Sequence, residues 1–289
     1  LLGKNIMEEG IKKKILYQRE DSSVWINLDN EGLDEKLLLR SDGTSVYMTQ
    51  DLGTAVQRIA DNSNVKGMIY TVGSEQDYHF KVLFKILNKL GYDWATNLYH
   101  LSYGMVDLPS GKMKSREGTV VDADDLIYDL ISTVKNTTES LDKYKSNNEV
   151  LDFDDYKKIA LGALKYYILK VDPKKNILFN PEESIDLSGN TGPFIQYAYV
   201  RIQSILNKVN KEVTIDNDYQ LNDKEKEVIK TIHQYPSVVI DSYKELSPAL
   251  IANYLYDLVK NFNSLYQNYH ILNSESKEST SIRLLISVK

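Results

Sequence analysis

The hydrophobic positions of this chain follow two different spacings. In about the first 120 residues, short apolar stretches predict strands at residues 14–17, 24–27, 45–49, 65–72 and 98–106, with a further apolar run at 37–39. Helical spacing covers about 51–60 and 77–90, the second with an apolar stripe. Strands that alternate with helices predict a parallel α/β sheet, whose ligands lie at the carboxyl ends of the strands.

From residue 122 onward the spacing is helical almost throughout. It predicts helices over about 124–144, 154–169, 192–206, 223–234 and 248–269, and from 279 to the end. Gly192-Pro193 suits a helix start, because proline is well tolerated in a first turn. The predicted fold class is therefore α/β followed by all-α.

Composition narrows the function classes. A chain of 289 residues exceeds what one core usually supports, which favours two domains. There is no cysteine, so disulfides and thiolate metal sites are excluded, and the four histidines show no metal-ligand spacing. No apolar run approaches the ~20 residues that span a bilayer. At a net charge of -6, nucleic-acid binding requires a local basic surface.

A glycine-flanked basic loop occupies residues 111–119. It contains Lys112, Lys114 and Arg116 together with Ser115, and cations this close repel one another unless an anion lies among them. The lysines act as point charges and the arginine as a bidentate fork, so the loop suits phosphate groups. A solvated basic turn is the alternative, and the loop alone does not decide between them.

A second group of polar side chains lies where strands end. Tyr47 and Asp51 fall at a predicted strand-to-helix junction, and Gln76 follows the next predicted strand. A phenol, a carboxylate and an amide suit a small cationic ligand, and Asp51 could pair bidentately with a guanidinium. Helix capping is the more common role for an aspartate at a helix start, and it remains the alternative for both Asp51 and Gln76.

Four segments in order resemble the arginyl-tRNA synthetases, which are class I aminoacyl-tRNA synthetases. They read DGTSVYMTQDLG at 42–53, VGSEQDYHF at 72–80, GKMKSREGTVVDADDL at 111–126 and GNTGPFIQYAYVRIQSI at 189–205. The resemblance implies the second half of a Rossmann-like catalytic domain at 1–122, a helical connector at 123–186 and an α-helical anticodon-binding domain at 187–289, which resembles the DALR type. It also implies that the expected function is ATP-dependent ligation of L-arginine to tRNA(Arg) through arginyl-adenylate.

Residue roles follow from the resemblance. The arginine substrate would be held by Tyr47, Asp51 and Gln76. The ATP side would involve Gly73, Glu75, His79, Met105 and Val106. The basic loop corresponds to the family's KMSKS loop, and its residues would be the catalytic ones: Lys112, Lys114, Ser115 and Arg116. Ser115 stands where the second KMSKS lysine is usual, so Lys114 or Arg116 would supply that charge. Mg²⁺ would accompany ATP, with no metal site of the protein's own.

The remaining expectations concern tRNA and the extent of the chain. In the anticodon-binding domain, Tyr197, Arg201 and Lys208 would meet tRNA, although each also fits a packed aromatic or a surface charge on a helix. The family's H-x-G-H motif does not occur in this sequence, so we expect the carboxyl-terminal half of a longer enzyme, inactive alone. The expected partners are tRNA(Arg), L-arginine and ATP, without a membrane, for a cytoplasmic monomer. The alternative function is a tRNA-binding module or an inactive paralogue.

Overall fold

The computed structural model describes residues 3–108, 122–140, 151–209 and 218–288. The chain divides into two compact units, Leu1–Gly104 and Met105–Lys289. In the described residues, no helix is both long enough and apolar enough to cross a membrane.

The first unit combines three helices with five strands. Its elements are α1 (Lys4–Lys12), β1 (Tyr17–Gln18), β2 (Val24–Ile26), β3 (Lys36–Leu39), α2 (Tyr47–Asp61), β4 (Met68–Gly73), α3 (Asp77–Lys89) and β5 (Leu98–Tyr103). Single 3-10 turns occupy Asp29–Glu31, Ser74–Gln76 and Asp93–Asn97. Strands β4 and β5 pair in parallel, from Met68 opposite Leu98 to Gly73 opposite Tyr103. The predicted strand–helix–strand crossover is therefore present at β4-α3-β5.

The first three strands form an antiparallel sheet in the order β1-β2-β3. A parallel arrangement was the wrong expectation for them. A parallel crossover needs a dozen or more residues, whereas the segments between these strands cover only 19–23 and 27–35. Such short segments can only turn the chain back on itself.

Residues 45–49 do not form the predicted strand. Ser45 makes a single bridge to Leu39, and α2 begins at Tyr47, four residues before the predicted start. Burial explains the difference, because Met48, Leu52 and Ala55 face the core at helical spacing. The hydroxyl of Thr49, also buried, donates to the carbonyl oxygen of Leu38, which fixes the first turn of α2 against β3.

The core of the first unit lies beneath α3. Phe80, Leu83 and Leu87 are buried, as the predicted apolar stripe requires, and α1, β2 and α2 contribute to the same cluster. Alternate residues of β4 and β5 pack against this cluster, whereas Ile69 and Tyr99 on the opposite face are exposed. The apolar side of α3 therefore covers one face of the parallel pair β4 and β5 and positions the carboxyl ends of these strands.

In its described residues, the second unit is helical apart from one short parallel pair of strands. Its elements are β6 (Val106–Asp107), α4 (Ala123–Ser140), α5 (Phe153–Leu169), β7 (Ile177–Leu178), α6 (Pro181–Ser184), α7 (Gly192–Leu206), α8 (Asp223–Glu245), α9 (Ala249–Asn268) and α10 (Lys277–Val288). Strand β6 pairs with β7, so the strand predicted over 98–106 is divided into β5 and β6. The fold class, α/β followed by all-α, is confirmed.

Helix α8 continues eleven residues beyond its predicted end. It begins with a capping box between Asn222 and Glu225 and passes through Pro236 to Glu245. Proline removes one backbone hydrogen bond from a helix interior. Contacts with α9 compensate for that loss; for example, the ring of Tyr235 lies 5.7 Å from that of Tyr254.

Helices α5 and α7 approach each other at two glycines. A Cβ atom added to Gly192 would lie 2.4 Å from the carbonyl oxygen of Gly162, so no side chain fits there. Nearby, the hydroxyl of Tyr166 donates to Asn190 Oδ1 at 2.6 Å and to the carbonyl oxygen of Ala252 at 3.0 Å. Burial raises the pKa of Tyr166 to about 12. These contacts fix α5, α7 and α9 to one another.

Candidate functional site

The polar face at the start of α2 carries two of the predicted arginine-binding residues. Tyr47 is the first helical residue and Asp51 the fifth, so their side chains lie one turn apart on one face. Val46 occupies the N-cap position, and no side chain caps this helix. The capping alternative for Asp51 is therefore wrong, because its carboxylate makes no cap hydrogen bond at the helix start.

Gln76 occupies the N-cap position of α3, but its side chain makes no cap hydrogen bond. The capping alternative for Gln76 is wrong as well. Its side chain is exposed at the carboxyl end of β4, together with that of Glu75. Both side chains are thus available to a ligand at the edge where the sequence predicts one.

A hydrogen-bonded pair joins α2 to α3. His79 Nε2 lies 2.7 Å from Asp51 Oδ2, with side chains 25% and 47% exposed, respectively. Tyr47 is 81% exposed. Burial raises the pKa of the neighbouring Tyr70, and the Asp51 carboxylate adds to that rise while Arg58 opposes it. Asp51 therefore lies among Tyr70, Arg58 and His79 and still faces solvent.

The amino end of α3 is anchored to the parallel ladder by His100. Its Nδ1 lies 3.1 Å from Asp77 Oδ1, and its Nε2 lies 3.0 Å from the carbonyl oxygen of Val72. Its ring lies 4.4 Å from that of Phe80. Beside this anchor, a Cβ added to Gly73 would meet only Tyr103, at 3.8 Å. The end of β4 thus presents open backbone to a ligand.

The predicted ATP-side residues fall into separate parts of the chain. Gly73, Glu75 and His79 lie with the arginine candidates in the first unit. Met105 and Val106 belong to the second unit, where the backbone N–H of Met105 donates to Asn176 Oδ1 at 2.8 Å and Val106 pairs with Ile177. The basic-loop residues lie outside the described ranges: Lys112, Lys114, Ser115 and Arg116.

A groove of about 660 Å³ in the second unit brings together the three predicted tRNA-binding residues, Tyr197, Arg201 and Lys208. The guanidinium carbon of Arg201 lies 4.8 Å from the ring centroid of Tyr197 and 4.5 Å from that of Tyr266. Arg201 Nη1 also donates to Asn263 Oδ1 at 2.6 Å. The cation is therefore held between two aromatic rings at the groove wall.

Tertiary contacts add residues that the sequence pattern did not indicate. Tyr266 and His270 line the same groove from α9 and the segment after it, more than sixty positions from Arg201. Sequence spacing carries no signal for a contact at that separation. The pairing of His79 with Asp51 is equally invisible in the sequence, because the two residues belong to different helices. Within the ranges described, no three or more His, Asp or Glu side chains are arranged to hold a metal ion.

Two family models match the chain. The model for tRNA synthetases class I (R), catalytic domain, matches residues 4–180. The model for the DALR anticodon binding domain matches residues 195–289. Together they cover both units and nearly the whole chain.

Two curated relatives of the chain are arginine–tRNA ligases. The arginine–tRNA ligase of Flavobacterium psychrophilum is 60% identical over 289 residues, which is 100% of this chain and 48% of that protein. The arginine–tRNA ligase of Parabacteroides distasonis is 50% identical over 99% of this chain and 49% of that protein. The chain thus spans about half the length of the curated relatives that it matches.

Solved structures share the fold. The arginyl-tRNA synthetase of Thermus thermophilus superposes with a TM-score of 0.87 at 21% identity, over 99% of this chain and 54% of that one. The Plasmodium falciparum arginyl-tRNA synthetase gives 0.78 at 24% identity, over 98% and 48%. At these identities the likeness concerns the fold alone.

Proposed function

The chain belongs to the arginine-specific class I tRNA synthetases, and on that basis we propose that a protein of its relatives' length containing it joins L-arginine to tRNA(Arg), with ATP, through arginyl-adenylate. The observation that carries this proposal is the exposed carboxylate of Asp51, which lies five residues into α2 and caps nothing. A carboxylate that caps no helix and remains about half exposed beside a single histidine suits a cationic substrate.

Arginine would bind through its side chain at the first unit. The guanidinium is planar and presents paired N–H donors that match the two oxygens of Asp51. Tyr47, one turn earlier and largely exposed, would contribute its hydroxyl, and Gln76 its amide. A neutral analogue of arginine gives the carboxylate no guanidinium to pair with and is rejected for that reason.

The chemistry would proceed in two transfers. The arginine carboxylate oxygen attacks the α-phosphorus of ATP, an arginyl-adenylate forms and pyrophosphate leaves. A ribose hydroxyl of the terminal tRNA nucleotide then attacks the acyl carbon, and AMP leaves. The protein would contribute positioning and charge stabilisation, and Mg²⁺ accompanying ATP would neutralise part of the phosphate charge.

On the ATP side, the proposal assigns distinct tasks to the two groups of residues. The catalytic loop would place the cations of Lys112, Lys114 and Arg116 on the phosphates, and Ser115 would contribute a neutral hydroxyl. The nucleoside would lie near Gly73, Glu75 and His79 of the first unit. The open space beside Gly73 supports this assignment, because a ligand can approach the backbone there.

The anticodon end of tRNA would bind the groove of the second unit. Tyr197 and Arg201 offer aromatic and guanidinium planes for bases, and Lys208 offers a charge for phosphate. We propose the domain limits 1–122, 123–186 and 187–289. The family model that starts at 195 supports the last of these, while the catalytic model extends through most of the connector to 180. We further propose that the enzyme acts as a monomer in the cytoplasm, where charged tRNA is used.

The experiment compares two polypeptides in tRNA arginylation, the 289-residue chain and a protein of the relatives' full length that contains it. Lysine and citrulline are the control substrates. We expect only the long form to charge tRNA, and only with arginine, because the H-x-G-H motif is not in the present sequence. In the long form, Asp51→Ala should raise the KM for arginine about 10- to 100-fold through loss of a charged hydrogen bond. An unchanged KM for arginine would mean that Asp51 does not bind this substrate.

One observation favours a second function, that of a tRNA-binding module without catalysis. The aromatic–guanidinium groove belongs to the second unit alone. Under this hypothesis both polypeptides bind tRNA with an affinity that falls as salt rises, and neither charges it. Charging by the long form excludes this second function.

A further inference from the structure

The contact between His79 and Asp51 has a geometry suited to more than a surface ion pair. His79 Nε2 lies 2.7 Å from Asp51 Oδ2, which is the length of a charge-assisted hydrogen bond. The two residues are 28 positions apart and belong to different helices, so the fold has to bring them together. Exposed ion pairs of this kind contribute little to stability, and a role in stability alone does not account for the arrangement.

The imidazole is the fixed partner of the pair. His79 is the third residue of α3, directly before buried Phe80, whose ring lies 5.0 Å from Tyr70 and 4.4 Å from His100. Its own ring meets that of Phe80 edge-on at 5.7 Å. Asp51, in contrast, lies on the solvent-facing side of α2 and is nearly half exposed. The less exposed histidine can therefore hold the more exposed carboxylate.

Holding the carboxylate leaves room for a second partner. An ionised aspartate accepts at about four lone-pair positions, and His79 occupies one of them on Oδ2. Oδ1 and the remaining position on Oδ2 stay available to N–H donors. A carboxylate that is already oriented loses less conformational freedom when a guanidinium binds.

We propose that His79 is a positioning residue for the arginine substrate, which orients Asp51 through the Nε2–Oδ2 hydrogen bond. This inference rests on the proposed function and deepens it. It moves His79 from the adenosine side of the site, where the family resemblance puts it, to the amino-acid side. The two assignments predict effects on different kinetic constants.

The test uses the protein of the relatives' full length and measures KM for arginine, KM for ATP and kcat. We expect His79→Ala to raise the KM for arginine about tenfold, the scale of one hydrogen bond to a charged group, with the KM for ATP and kcat within about twofold. His79→Gln places its amide near the Nε2 position and should restore the KM for arginine to within about threefold of the original.

His79→Asn is the matched control, because its amide lies where Nδ1 was and does not reach Asp51. It should behave like the alanine variant. In an Asp51→Asn background, His79→Ala should add less than about twofold, since the group that it orients has changed. If the alanine variant does not fold, the comparison of the glutamine and asparagine variants decides the question.

Failure of the inference is distinguishable from failure of the proposed function. If the unsubstituted full-length protein does not charge tRNA with arginine, the function is wrong. If it does, and His79→Ala raises the KM for ATP instead, or the glutamine and asparagine variants behave alike, then His79 does not position Asp51.

Discussion

Replacing Arg283 by methionine should destabilise the second unit more than any surface substitution. Arg283 on α10 is 2% exposed, and its Nε donates to Glu225 Oε1 at 2.7 Å, where Glu225 is fully buried. Arg283 Nη1 also donates to the carbonyl oxygen of His270 at 2.8 Å and lies 2.9 Å from Glu275 Oε2. Burial alone would lower the pKa of Arg283, but its hydrogen bonds to Glu225 and Glu275 outweigh that effect and raise it.

The magnitude follows from what remains around Glu225. Methionine retains much of the apolar stem of arginine, so the loss is mainly electrostatic. The carboxylate keeps the Tyr219 hydroxyl, 3.1 Å from both oxygens, and the Asn222 N–H at 2.9 Å, but no cation. Removal of one partner from a buried ion pair costs about 3–5 kcal/mol. For a unit of this size, that corresponds to a fall in Tm of about 6–20 °C.

Urea and thermal unfolding of the chain, followed by far-UV circular dichroism, measure this loss. Lys226→Met is the matched control. Lys226 lies on the same helix turn as Glu225 and pairs with Asp223 at 3.7 Å, but both of these side chains are exposed. We expect the control to cost less than about 0.5 kcal/mol. Tryptophan fluorescence reports separately on unfolding of the first unit, because Trp25 and Trp94 both lie there.

The double variant Arg283→Met/Glu225→Gln tests whether the unpaired charge of Glu225 causes the loss of stability. Glutamine retains the capping-box bond to Asn222 and carries no charge, so the double variant should be more stable than Arg283→Met alone. The prediction is wrong if Arg283→Met lowers the free energy of unfolding by less than about 1 kcal/mol, or if the double variant recovers no stability. Either result would mean that the buried carboxylate of Glu225 does not need the cation of Arg283.

Three further outcomes are expected. Gly192→Ala should destabilise the chain by about 1–3 kcal/mol, because its Cβ would lie 2.4 Å from a carbonyl oxygen of the crossing helix, whereas Gly73→Ala, with 3.8 Å of clearance, should be close to neutral in urea unfolding. Tyr166→Phe removes the hydroxyl whose single proton is shared between Asn190 Oδ1 and the carbonyl oxygen of Ala252, and it should cost about 1–3 kcal/mol at neutral pH. Because the folded-state pKa of Tyr166 is raised to about 12 from 10.0, its contribution is full below about pH 10 and declines as pH rises through about 12, so the two proteins should converge in alkaline unfolding experiments. Arg201→Ala should weaken tRNA binding about tenfold, and Lys208→Ala should reduce the salt slope of binding by about one; unchanged values for both would exclude the groove.

The predictable part of the fold is the part that depends on local sequence. The helices of the second unit follow apolar positions at helical spacing, and the starts at Gly192-Pro193 and Asn222 carry recognisable signals. A helix closes its hydrogen bonds within four residues, so its pattern is visible in a short window. The end of α8 cannot be read from a short window, because packing against α9 overrides the local effect of Pro236.

The predictable part of the candidate site consists of residue identities. Tyr47, Asp51 and Gln76 could be named from short motifs. The sequence could not predict that Asp51 does not cap α2, because this depends on where α2 begins. The start of α2 is determined by burial of Met48 and Leu52 in the core. The direction of the first three strands likewise required the lengths of the intervening segments.

Local patterns identify most of the longer helices, the α/β character of the first unit and the polar residues that occur in motifs. Which of these residues meet depends on the folded chain, which joins His79 with Asp51 across 28 positions, Arg283 with Glu225 across 58, and Arg201 with Tyr266 between helices. Periodicity indicates only whether a side chain faces the core or solvent. The partner that it meets depends on how whole elements pack, and packing is a property of the assembled chain.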